Sequence, residues 1–465
     1  MATTQDIVGL RSELERKLAE SAERHQVPGA AVGVALGDQE VSAFHGVTSL
    51  ENPLPVDERT LFQIGSTTKT FTATAIMRLV EAGRIDLAAP VRTYVPELEL
   101  RDEDVAARVT VLHLLNHTAG WTGDYFEDTG EGDDALARYV AKMAELEQVT
   151  PLGATASYNN AAFKLAGRVI ERVTGQTYEA ALRELVLDPL GLRDSLLFLA
   201  DVMTRRFAVG HQQHGDEMRV ARRWHLSRSA RPAGGIVATA ADQIRYARFH
   251  LGDGTAADGG RVLQPETLAR MQIPTASLQA SALGDSVGIS WLLKDIAGVR
   301  LVRHGGTTNG QLSAFVLVPE REFAITVLTN SDTGGQLHQE IVKWALETYL
   351  GVAEPEPEPL SLGPDELAPY AGRYRTANGL LELVVEGDRL VANATYSDEA
   401  LAKLRSVYGD QIPEQQPIPI KLLPDDRFVV VEGRGKGGRG YFVREGGAIS
   451  GVDMGGRLAP RVREE

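Results

Sequence analysis

The chain has 465 residues, of which 43% are hydrophobic and 24% charged, and a formal charge of -15, values that suit a soluble globular protein of two or three domains and argue against a polyanion such as nucleic acid as its partner. It contains no cysteine, which removes disulfides, thiolate metal sites and thiol catalysis from consideration. Residues 1–17 are too charged for a signal peptide and no apolar run reaches the roughly 18 residues a membrane span needs, so a cytoplasmic protein with no membrane partner is expected.

In chain order, Ile7, Leu10, Leu14 and Leu18 recur at helical spacing, which predicts an amphipathic helix over residues 6–22 closed by Pro28-Gly29. Residues 30–36 and 41–47 read as strands joined at Gly37-Asp38 in a hairpin. Gly65-Ser66-Thr67-Thr68-Lys69 opens a buried helix carrying Phe71, Ile76, Leu79 and Val80 and ended by Gly83. A short helix over 109–116 and a surface loop to Asp134 follow. Helices are predicted over 160–174, with Gly175 as its stop, and over 178–187, 239–251 and 265–271. The pattern then returns to strands at 287–293, 299–303, 312–318 and 323–329, before a helix over 336–350. Tight turns between neighbouring strands imply antiparallel pairing, since parallel strands need a crossover. The fold class is therefore α+β, an antiparallel sheet flanked by helices with a helical subdomain.

Residues 353–359 spell Ala-Glu-Pro-Glu-Pro-Glu-Pro, a stiff spacer by composition. The division expected is a catalytic domain over 1–352, a linker over 353–361 and a small all-β domain over 362–465. Short β-like runs at 379–386, 389–394, 427–432 and 440–444 suggest a barrel or sandwich there.

The chemistry sits in three separated stretches. Ser66 and Lys69 are three apart and share a helix face, so the amine can activate a hydroxyl that is a weak nucleophile alone. Tyr158-Asn159-Asn160 precedes a helix and can project a phenol and an amide into a cleft. His304-Gly305-Gly306 follows a strand and can line the same cleft. An ammonium beside Tyr158 is expected to lower the phenol pKa and let it accept the Ser66 proton. Asn160 can bridge Lys69 and a substrate carbonyl. The amides of Ser66 and Thr307 are candidates for an oxyanion hole, each donor of which is worth roughly 3 kcal/mol in a serine hydrolase.

Taken in that order, Ser66-Thr67-Thr68-Lys69, Tyr158-Asn159-Asn160 and His304-Gly305-Gly306 resemble the motifs of the class C β-lactamase, penicillin-binding esterase and D-aminopeptidase family of serine hydrolases. Leu114 to Gly120 and Asp188 to Leu192 resemble further family segments, and the match runs from about Ile7 to Gly351. The resemblance implies a β-lactamase/transpeptidase-like fold. Ser66 would be the acylated nucleophile, Lys69 and Tyr158 its activating pair, and Asn160, His304, Gly305, Gly306 and Thr307 the substrate-binding residues, with no cofactor and no metal. The expected partner is a small-molecule ester or amide, or a short peptide that can include D-amino acids; a homo-oligomer is left open. His304 stands where lactamases of the family carry Lys, which moves the expected substrate away from penicillins. A non-catalytic penicillin-binding or sensory module, or a weak β-lactamase, is the alternative. Tyr370 to Tyr374 resembles the start of the lipocalin-like domains that follow some of these hydrolases, where the extra domain covers the cleft or mediates assembly.

Other features have plainer readings. His113 and His117 are four apart, but no third ligand accompanies them, so a bracing role for His117 is favoured over zinc. His211 and His214 read the same way. Trp121, Tyr125 and Phe126 are candidates for the substrate entrance. Residues 433–438 have the glycine and lysine of a phosphate loop without its Ser or Thr, and a hairpin turn is expected.

Overall fold

Small and β-branched residues in β1 (Gly29–Leu36) and β2 (Gln39–Gly46) form the expected hairpin. The computed structural model describes residues 4–408, 412 and 415–462. Strands β3 (Ala276–Ser281), β4 (Gly284–Val287), β5 (Leu292–Ile296), β6 (Val299–Thr307), β7 (Leu312–Val318) and β8 (Phe323–Thr329) join the hairpin in one antiparallel sheet, ordered β2-β1-β8-β7-β6-β5-β4-β3. The strand expected over 287–293 is broken. Gly288 donates its amide to the Trp291 carbonyl at 2.8 Å and Ser290 turns left-handed at φ +69°, leaving β4 and β5 on either side. Apolar periodicity carries no signal for that turn.

Five helices matter for the site: α1 (Thr4–Arg24), α2 (Thr68–Glu81), α3 (Asn160–Thr174), α4 (Ala240–Leu251) and α5 (Gly334–Leu350). On one face of the sheet, Leu14 and Leu18 of α1 and Leu337 and Ile341 of α5 pack on Val32, Val34, Ile325 and Val327. Glu340 of α5 ties the two helices, accepting from Lys17 at 2.5 Å, Ser21 at 2.9 Å and Arg24 at 2.6 Å. The helical block, with α2, α3 and α4, covers the other face. α2 is buried along most of its length although four of its residues are threonines. Thr70 and Thr74 donate to the carbonyls of Thr67 and Thr70, and Thr72 to that of Pro232, so no hydroxyl is stranded. α3 starts where the Asn159 side chain accepts the Ala162 amide and stops at left-handed Gly175, as expected.

Beyond the main sheet, β9 (Gly372–Thr376), β10 (Gly379–Glu386), β11 (Arg389–Tyr396), β12 (Ile418–Leu422), β13 (Arg427–Val430), β14 (Arg439–Glu445), β15 (Ala448–Met454) and β16 (Arg457–Pro460) pair in sequential order. The first and last strands approach each other, Tyr374 bridging to Arg461 and Val462 donating to the Arg373 carbonyl at 2.8 Å, so the sheet is a nearly closed barrel. Tyr374, Leu383, Ile420, Phe428 and Phe442 fill it. Residues 433–438 are the turn between β13 and β14, as expected, and Arg434 there reaches Asp332 of the main body at 3.1 Å. The Pro-rich stretch is not a bare spacer: Glu354 accepts from Lys294 of β5 at 2.6 Å and from Arg439 of β14 at 2.7 Å. Among the described residues no helix is long and apolar enough to cross a membrane.

Candidate active site

Ser66 lies in a single 3-10 turn, Gly65–Thr67, that runs directly into α2. Gly65 is left-handed at φ +50°, and a Cβ on it would stand 2.8 Å from the Thr307 amide nitrogen at the end of β6. Gly306 is equally constrained. The turn and the strand can touch only because both positions lack a side chain, and the contact puts the Ser66 and Thr307 backbones side by side.

Lys69, one helical turn after Ser66, is fully buried. Its Nζ lies 3.0 Å from Ser66 Oγ, 2.7 Å from Asn160 Oδ1 and 2.7 Å from the Ala233 carbonyl. Burial pulls its pKa well below the ordinary lysine value, with the Arg457 charge adding to the effect and Asp124 opposing it. An amine with two N–H groups satisfies the two oxygens that can only accept, Asn160 Oδ1 and Ala233 O. When the amine is neutral, its lone pair then faces Ser66.

Tyr158 arrives from the loop before α3. His117 carries that loop: its Nδ1 accepts the Asn159 amide at 3.0 Å and its ring lies on the Tyr158 ring at 4.4 Å. The bracing role expected of His117 holds, and burial lowers its pKa. His113 has a different partner, Thr110. Lys69 Nζ sits 4.8 Å from the centre of the Tyr158 ring. The expected depression of the phenol is nevertheless reversed. Burial raises the Tyr158 pKa by more than its bond to Ser66 and the charge of Arg457 lower it, which favours the protonated phenol.

His304, Gly305, Gly306 and Thr307 end β6 and face a cavity of about 2210 Å³ that Ser66, Tyr158 and Asn160 also line. His304 Nδ1 pairs with the Gly305 carbonyl at 2.7 Å, and burial, reinforced by Lys69, takes its pKa down to about 3. It is neutral, which sharpens the contrast with a lysine at that place. The residues expected at the site therefore converge. Tyr125 and Phe126 line the cavity as expected, whereas Trp121 does not: only 3% exposed, it packs in the core, and its carbonyl accepts from Asn159 at 2.9 Å. His211 pairs with Asn330 and Leu50.

Three charged residues at the site were not anticipated. Asp124 accepts the Asn160 Nδ2 proton at 2.6 Å. Lys164, one turn after Asn160 on α3, lines the cavity over the Tyr139 ring at 4.1 Å, and burial brings its pKa down to about 7. Helical spacing from Asn160 was a signal that could have found it. Arg457, from the start of β16 in the barrel, bonds Asp124 at 2.9 Å and stands 4.6 Å from the centre of the Tyr158 ring. Nothing local in the sequence marks it. Its side chain is 44% accessible and its guanidinium lines the same cavity as His304.

A family model described as Beta-lactamase matches residues 14–350. Penicillin-binding protein 4 of Amycolatopsis lactamdurans is 36% identical over 361 residues, 76% of this chain and 95% of that protein. Esterase EstB of Burkholderia gladioli is 28% identical over 71% of this chain and 93% of its own. Among solved structures, that of SurE with D-Leu superposes with a TM-score of 0.74 at 26% identity and covers 97% of this chain and 99% of its own, so the likeness extends through the barrel.

Proposed function

Because the chain belongs to the Beta-lactamase family, we propose that it is a serine hydrolase that forms an acyl-enzyme on Ser66 and cleaves an ester or amide bond of a small molecule or short peptide, D-amino-acid residues included. The observation that carries this reading is the position of the Lys69 amine, 3.0 Å from Ser66 Oγ with both its other partners obligate acceptors. Neutral Lys69 takes the Ser66 proton as Oγ bonds to the substrate carbonyl carbon. The Ser66 and Thr307 amides receive the negative charge that develops on the carbonyl oxygen. Tyr158, still protonated, passes its proton to the leaving alcohol or amine as the carbon–leaving group bond breaks, and is reprotonated from Lys69. Water then attacks the acyl-enzyme by the same groups in reverse.

An esterase and a structure holding D-Leu among the similar proteins support an ester or D-residue substrate. A second reading has one specific observation behind it, the likeness to a penicillin-binding protein: Ser66 would be acylated by a β-lactam and released slowly. Neutral His304 weighs against fast lactam turnover, since it offers no cation to a lactam carboxylate.

A fluorophosphonate adduct, found by intact mass and assigned by peptide mapping, should fall on Ser66. A Ser66→Ala protein that still hydrolyses ester would end this reading. A panel of a p-nitrophenyl ester, a D-alanyl amide and nitrocefin separates the substrate classes, with ester or D-amide turnover exceeding that of nitrocefin.

A further inference from the structure

The lone pair of Lys69 faces Ser66 only while Asn160 presents its oxygen, not its NH2, to Lys69. Within the amide itself nothing fixes that choice, because its two ends are nearly the same shape. Asp124 fixes it. An ionised carboxylate only accepts, so the group it meets at 2.6 Å must be Asn160 Nδ2, and Oδ1 is left for Lys69. Asp124 is in turn held from the other side by Arg457, whose Nε donates to Oδ2 at 2.9 Å and whose Nη1 donates to the Gly455 carbonyl at 2.9 Å.

The hairpin of β15 and β16 that carries Arg457 is docked on the catalytic loop itself. The Tyr158 amide donates to the Gly456 carbonyl at 2.8 Å and the Leu458 amide to Ser157 Oγ at 3.1 Å. On the far side, Ser281 Oγ of β3 donates to Asp453 at 2.8 Å. The ion pair of Arg457 with Asp124, whose carboxylate is only 15% accessible, thus stands between Asn160 and Tyr158.

We infer that Asp124 and Arg457 are an interdomain positioning pair, by which the C-terminal barrel orients the Asn160 amide and completes the acylation site. The inference rests on the acyl-enzyme reading above. It makes the barrel a part of the catalytic apparatus. Neither residue takes part in bond making.

The charges give the pair a signature that docking alone would not. Lys69 is faced by Arg457 from β16, Asp124 from the chain between α2 and α3 and Lys164 from α3, with Tyr158, His117 and His304 around it. Arg457 and Lys164 disfavour its proton and Asp124 favours it. Removing the guanidinium therefore moves the acidic limb of the acylation rate to higher pH, and removing the carboxylate charge moves it to lower pH.

The test measures the rate of fluorophosphonate labelling of Ser66 against pH in the full chain, for wild type, Arg457→Met, Arg457→Lys and the near-isosteric Asp124→Asn, with thermal melting as a check on folding. The expected result is a roughly 10- to 100-fold slower acylation in Arg457→Met and Asp124→Asn, limbs displaced in opposite directions, and a limb restored by Arg457→Lys. Wild-type rates in Arg457→Met, or limbs that move together or not at all in the folded variants, overturn the pair while leaving the acyl-enzyme intact. A wild-type protein that takes no label on Ser66 overturns the acyl-enzyme reading and the pair with it.

Discussion

Gly306 and Ile64 approach so closely that a Cβ on Gly306 would stand 1.9 Å from the Ile64 carbonyl oxygen. Backbone cannot yield as a flexible side chain does, so Gly306→Ala must push β6 away from the serine turn and separate the Thr307 amide from that of Ser66. The expected loss in kcat on a p-nitrophenyl ester is about 10²-fold or more, the scale of one missing oxyanion donor. A kcat within threefold of wild type would remove the Thr307 amide from the mechanism.

Lys69→Ala and Tyr158→Phe should each lower the acylation rate by roughly 10²- to 10⁴-fold. Because the two groups serve one proton path, the double variant should be little worse than the poorer single one. Multiplicative losses would show that they act independently. Single-turnover labelling makes the comparison without interference from product release.

With Lys69 depressed by burial, the amine is neutral well below the ~10.4 of a free lysine. The rate of acylation should therefore be low in acid, where the amine is protonated, rise with pH and level off well below pH 10. A kcat/KM that climbs tenfold per pH unit up to pH 10 would show an ordinary lysine instead.

Glu340 makes a separate prediction about stability. Burial alone would raise its pKa, but the bonds from Lys17, Ser21, His25 and Arg24 outweigh this and hold it at about 2. An unfolded glutamate titrates near ~4.3. The stabilisation is thus complete above that value and is lost as pH falls toward 2. Glu340→Gln should cost about 2 kcal/mol at pH 7, with α1 losing amide protection first, and the gap to wild type should shrink in acid. Equal melting temperatures at pH 7 would refute it.

Much of this was legible in the amino-acid order. Ser66, Lys69, Tyr158, Asn160 and His304 announce themselves because each sits in a short motif next to a helix start or a strand end, and local sequence controls both. The antiparallel sheet was legible for the same reason, from short connections. Asp124 and Arg457 were not, since they meet across the two parts of the chain and neither belongs to a local pattern. The direction of the Tyr158 shift was missed on physical grounds: a neighbouring ammonium is visible in a motif, while the loss of water around a phenol depends on everything packed over it. The break at Gly288 and Ser290 was hidden by apolar residues on either side.

Since Gly456 and Leu458 hold the backbone of Ser157 and Tyr158, the order of synthesis bears on the cavity. A ribosome finishes Ser66, Lys69 and His304 long before it reaches the β15 and β16 hairpin. Throughout that interval the growing polypeptide carries Ser66 without the strands that hold the Tyr158 loop. The backbone of Ser157 and Tyr158 is therefore among the last parts of the cavity lining to gain its full set of hydrogen bonds.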